Sequence, residues 1–93
     1  MATRITALDL AMQFRERAEQ RGGSIFLTGK QVAFLKSLAT PVYRGADPGN
    51  ASVISETVHG WPLIHAYFPD GTVWTCAVQH NGAGLFGPEV SAR

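Results

Sequence analysis

Residues 62–80 read PLIHAYFPDGTVWTCAVQH, and their pattern decides the fold. At the centre stands Pro69-Asp70-Gly71. Proline suits the first position of a turn, aspartate the second, and glycine the left-handed position that closes a three-residue hairpin loop. On either side lie β-rich runs, Pro62–Phe68 and Thr72–His80, which the spacing predicts to be paired antiparallel strands. A three-residue loop sets Phe68 opposite Thr72, Ala66 opposite Trp74 and Ile64 opposite Cys76. One face then holds Ile64, Ala66, Phe68, Trp74, Cys76 and Val78, almost wholly apolar and suited to a core. The other holds Leu63, His65, Tyr67, Val73, Thr75, Ala77 and Gln79, a mixed face of the kind left in water or covered by a partner. A shift of one residue would scramble that separation, so the pattern fixes the register.

Working outward, Asn81-Gly82 predicts a second hairpin through a type I′ turn, returning a last strand over roughly Gly84–Val90. Pro88 lacks an amide proton, which places that strand at an edge. Upstream, Ser52–Val58 reads as a first strand, after a loop from Pro41 to Asn50.

The pattern changes again toward the N-terminus. Ala7, Leu10, Ala11, Phe14 and Ala18 recur at helical spacing, with Thr6 as N-cap and Gly22-Gly23 as the stop. A second helix opens on Thr28-Gly29-Lys30-Gln31, a capping box in which Thr28 and Gln31 bond each other's amides. Leu27 before the cap and Val32 four positions into the helix form a hydrophobic staple. Val32, Leu35, Leu38 and Ala39, with Phe34 beside them, make its apolar arc, and Pro41 ends the run. The expected fold is a single α+β domain over 1–93. Two N-terminal helices (a helical hairpin, 1–40) pack on a three- to four-stranded antiparallel β-meander (51–90).

Charge divides the chain as sharply as periodicity does. Residues 1–46 hold seven cations against three carboxylates, while residues 47–93 hold one cation against four. The first half is the one able to meet a polyanion. At 93 residues with 45% hydrophobic content, one small core is expected and a large enclosed substrate cavity is not. The single cysteine excludes an intrachain disulfide and a cysteine-rich zinc module. The first residues lack a signal-peptide apolar stretch, and no apolar run approaches the roughly 20 residues that span a bilayer. A cytoplasmic protein without membrane contact is the expectation, and the sequon Asn50-Ala51-Ser52 then carries no weight.

Motifs that carry chemistry fail on context. Residues 82–87 spell G-x-G-x-x-G, but no helix or second βαβ unit can follow, so the glycines belong to a hairpin. Cys76 and His80 share a strand face, whereas His65 lies on the opposite face and His59 precedes a turn at Gly60-Trp61-Pro62, which assembles no metal site. Cys76 between Trp74 and Val78 is a desolvated, inert thiol rather than a nucleophile. Neither a Ser/His/Asp set nor a close carboxylate pair stands out. The expectation is therefore a protein with no catalytic residues, cofactor or metal.

What remains is binding. Trp61, His65, Tyr67 and Thr75 mark a protein-contact face, because the sheet half is too acidic to stack nucleic acid. This favours a small protein-binding module, an adaptor or inhibitor, by analogy with small chains of phages and mobile elements that mask a partner's surface. The alternative is nucleic-acid association through Arg17, Arg21, Lys30, Lys36 and Arg44. Against a helix-turn-helix, the link Gly22–Leu27 is too long, no third helix exists, and the cations of the first helix are scattered. A third reading is a homodimer joined across the Leu63/His65/Tyr67 face or along the last strand.

Overall fold

The computed structural model describes residues 4–43 and 46–89. Helix α1 spans Ala7–Gln20, strand β1 Ile25–Leu27, helix α2 Gly29–Leu38, and strand β2 Thr40–Pro41. Strands β3 (Val53–Val58), β4 (Trp61–Tyr67), β5 (Val73–Val78) and β6 (Gly84–Pro88) follow. They form one sheet in the order β1-β6-β5-β4-β3-β2, antiparallel except where β2 runs parallel to β3.

Both helices are built as their ends predict. Thr6 caps α1 by accepting from the Asp9 amide at 3.1 Å, and Asp9 returns the bond at 3.2 Å. At the other end the Gly23 amide reaches back to the Ala18 carbonyl at 2.8 Å while Gly22 takes φ 99°, the left-handed stop that glycine adopts without strain. In α2 the Thr28 amide donates to Gln31 Oε1 at 2.8 Å and the Gln31 amide to Thr28 Oγ1 at 3.3 Å. Leu27 and Val32, the staple pair, are both buried.

The central hairpin has the expected register: Ile64 faces Cys76 and Ala66 faces Trp74. Ile64, Ala66, Phe68, Trp74 and Cys76 are buried with Leu10, Ala11, Phe14 and Ala18 of α1, Val32 and Leu35 of α2, and Ala39 just after it. Inside that core Trp74 meets Phe68 edge-on at 6.2 Å and Phe86 at 5.2 Å. Both helices therefore cover one face of the sheet.

Several expectations need correction. The fold is α+β, but the sheet is mixed and six-stranded, not a meander of three or four. The 1–40 segment is no helical hairpin, because β1 fills the Gly22–Leu27 link and pairs with β6. Pro88 consequently does not sit on an edge strand; it lies beyond the three residues of β6 that β1 reaches. Pro41 is itself a strand residue, and the turn out of α2 comes at Ala39, which is already extended at ψ 153°. Phe34 is exposed rather than part of the α2 core face. Val90 lies outside the described residues.

The turns also exchange roles. Asn81-Gly82 does not form a type I′ turn, since only Gly82 has positive φ. The Gln79 amide bonds the Ala83 carbonyl at 2.7 Å across a three-residue loop, and Asn81 Oδ1 accepts from the Ala83 amide at 3.1 Å. This repeats the Pro69-Asp70-Gly71 loop, where Asp70 Oδ1 accepts from the Thr72 amide at 3.0 Å. The two-residue loop is instead His59-Gly60, between the paired Val58 and Trp61, and both its residues have positive φ, 51° and 82°. That is the type I′ pattern, which follows the twist of the flanking strands.

Candidate functional site

On the face of the sheet turned away from the helices Ile54 and His65 are buried, while among the described residues no helix or further strand lies over the rest. Alternation along the strands places Phe26, Leu85, Ala77 and Leu63 in one row, joined by the pairings Phe26–Leu85, Leu85–Ala77 and Ala77–Leu63. Phe26 is 55% exposed and Leu85 53%. Trp61 (52%) and Tyr67 (41%) stand on the same face, and Val58 beside Trp61 is exposed as well. Large apolar side chains in contiguous exposed array are uncommon on a small monomer and mark contact surfaces.

The four residues expected to meet a partner do not form one platform. Trp61 and Tyr67 lie at opposite ends of β4, and Trp61 packs on His80 at 5.6 Å instead. With Gln79, His80 and Asn81, Trp61 lines a depression of about 430 Å³. His65 is only 8% exposed. Its Nε2 donates to Glu56 Oε1 at 2.9 Å, since an ionised carboxylate can only accept, and Nδ1 stands 3.0 Å from Thr75 Oγ1. Thr75 stands directly opposite His65 on β5, and Glu56, paired with Leu63, reaches it diagonally from β3. Hydroxyl, imidazole and carboxylate in a line are the components of a nucleophile relay. Here the imidazole is enclosed, and the trio ties β3, β4 and β5 together on this face. Tyr67 lies 6.5 Å from His65, ring to ring. Its hydroxyl is held above the usual range by partial burial and by the charges of Glu56 and Glu89. No lysine or arginine occurs between residues 47 and 89, so this face is acidic and apolar together.

The cations of the first half scatter, apart from one pair. Arg17, in the last turn of α1, and Arg21, its C-cap, line a groove of about 580 Å³ with Ser24, Ile25, Phe26 and Gln31. Lys36 lines a different pocket of about 290 Å³, beside Tyr43, Ser55 and Ile64. Lys30 is exposed on the first turn of α2, and Arg44 lies outside the described residues. Arg15 is structural. It bonds Asp70 at 2.7 Å and Thr72 Oγ1 at 3.0 Å, and lies over the Phe68 ring at 4.7 Å. The Arg15 guanidinium, with help from Thr72, holds the Asp70 carboxyl well below the ordinary carboxylate range.

Burial pushes the Cys76 thiol up to about 11, the inert behaviour its place between core residues predicts. Among the described residues no three metal-ligating side chains gather. Gly82 closes the second hairpin while Gly84 and Gly87 lie in β6, so the G-x-G-x-x-G string is a turn and a strand. No described helix is long and apolar enough to cross a membrane. Compared with family models, curated proteins and solved structures, the chain matches none of them.

Proposed function

We propose that the protein is a small non-enzymatic protein-binding module, an adaptor or inhibitor, which receives a partner's segment on the open face of its sheet. The observation that carries this is the row Phe26–Leu85–Ala77–Leu63, which crosses four adjoining strands with Phe26, Leu85 and Ala77 exposed and Leu63 half-buried. Trp61 and Tyr67 are the aromatic anchors, and His65 and Thr75 keep the floor between them rigid. The charge of the face specifies the partner. Glu56 and Glu89 both act on Tyr67, Glu56 while bonded to His65 and sharing a pocket with Lys36. Glu89 therefore makes the Tyr67 end of the face acidic, and the matching segment is apolar with lysine or arginine at that margin.

The test is affinity capture of the tagged chain from its native lysate after nuclease treatment, run beside a Tyr67→Ala/Leu85→Ser variant. Both side chains are exposed, so the variant should melt close to wild type. A protein retained by the wild type and lost by the variant supports the reading, and mass spectrometry names it. Equal recovery by both, or recovery abolished by nuclease, sinks it. Light scattering at micromolar concentration decides the remaining case: twice the monomer mass would assign the face to a second copy of the chain.

A further inference from the structure

A second surface differs in chemistry from the sheet face. Four of the six residues that line the groove beside β1, Arg17, Arg21, Ser24 and Gln31, carry side-chain hydrogen-bond donors. Arg17 and Arg21 form no ion pair among the described residues. Gln31 uses its carbonyl oxygen for the α2 cap, which leaves its NH₂ group to donate, and Ser24 adds a hydroxyl. A donor-rich groove with two unneutralised guanidinium groups selects an anionic, acceptor-rich ligand.

The main chain supplies an independent constraint. Gln79 and Ala83 are a hydrogen-bonded pair, so by alternation Leu85 turns its amide and carbonyl toward β5, and the Glu89 amide bonding Val73 agrees. Gly84 and Phe86 then face β1, pairing with Leu27 and Ile25. The N–H and C=O of Phe26 are left pointing out of the sheet along the wall of the groove. β1 is the terminal strand of the sheet, and among the described residues no strand pairs with its outer edge.

From these two observations we infer that the groove binds an extended acidic peptide as a seventh strand alongside β1, with alternating acid and apolar residues. The residue opposite Phe26 exchanges main-chain bonds with it and shares its face of the sheet. The residues before and after turn to the helix side, where Arg17 and Arg21 stand. Side chains two apart on a strand are separated by about 6.6 Å, close to the roughly 5–6 Å between helix positions four apart. The pattern acid–apolar–acid therefore brings two carboxylates to two guanidinium groups. Addition to a sheet edge obtains affinity from the backbone and specificity from alternate side chains.

The probe is the labelled hexapeptide Glu-Val-Glu-Val-Glu-Val, titrated at low salt against the full chain. Three comparators are Lys-Val-Lys-Val-Lys-Val, the acidic peptide N-methylated at its valines, and a twelve-residue oligothymidylate. Binding by the acidic peptide alone, weakened at least tenfold in Arg17→Ala/Arg21→Ala, is expected. N-methylation should abolish it, because it removes the amide proton that Phe26 accepts. The Phe26 amide should show the largest chemical-shift change on titration. Absence of binding at millimolar peptide, indifference to the arginine pair, or tighter binding of the oligothymidylate would each overturn the assignment. The arginines are exposed, so an unchanged melting temperature separates lost binding from lost folding.

Discussion

Gly84 shows how much one residue can hold in place. Its φ is not left-handed, so backbone freedom is not the reason for glycine there. A Cβ at this position would press on the Ala77 carbonyl and come within 2.8 Å of Cys76 Sγ. Backbone and a fully buried sulfur cannot yield as a surface side chain would. Gly84→Ala is therefore expected to cost about 2–3 kcal/mol by denaturant titration, in the upper range for overpacking; a cost under 0.5 kcal/mol would show that β5 and β6 are less tightly apposed. His59 is the opposite case, a non-glycine residue in the left-handed region at φ 51°. A histidine gives no sequence signal for a type I′ turn, and Asn81-Gly82 gives a strong one. Loop length decided between them: two residues separate Val58 from Trp61, while three separate Gln79 from Ala83. Only the two-residue loop requires left-handed geometry at both positions.

At the level of elements, the long ones were legible and the short ones were not. α1, α2, β4 and β5 each repeat an apolar period several times, and the caps and the Pro69-Asp70-Gly71 turn mark where they end. β1 has three residues and β2 two, too few for a period to register. They become strands because β6 and β3 offer them ladder partners about 60 and 14 residues away, which no local pattern displays. The same distance hid the candidate groove, since Arg17, Arg21, Phe26 and Gln31 are joined only once β1 is seated. The orientation of β1 has a direct check. Ile25 donates its amide into the sheet and Phe26 does not, so Ile25→Pro should lower stability by at least about 1 kcal/mol more than Phe26→Pro. A larger loss from Phe26→Pro would mean that the alternation is inverted and the groove has no free donor, and equal losses would leave Phe26 no freer than Ile25.

For the molecule as a whole, the helices and the sheet are tied together at one rim by Arg15, which links α1 to the β4–β5 turn. The Asp70 carboxyl is lowered in the folded state chiefly by its bond from Arg15, so its contribution is present above the unfolded carboxylate value, about 3.9. It fades as pH falls through the lower folded value. The difference in melting temperature between wild type and Asp70→Asn should accordingly be constant from pH 7 to pH 5 and shrink below about pH 4. A difference that is unchanged at pH 2.5 would remove the ion pair from the account. The contribution is small because Asp70 is in water, and the buried stripe Leu10, Ala11, Phe14 and Ala18 sets which face of α1 meets the sheet.

The same organisation gives the molecule two unlike surfaces, an apolar and acidic sheet face and a basic, donor-lined edge. The amino-acid sequence by itself determined the helices, their caps, the central hairpin with its register, the inert cysteine and the division of charge. Each of these rests on local period or on turn chemistry within a few residues. Only the tertiary structure decided the six-strand order, the enclosure of His65 by Glu56 and Thr75, and the meeting of the two arginines with an open strand edge. Those depend on which strands pair across the chain, and pairing is settled by burial of one shared face rather than by any segment alone.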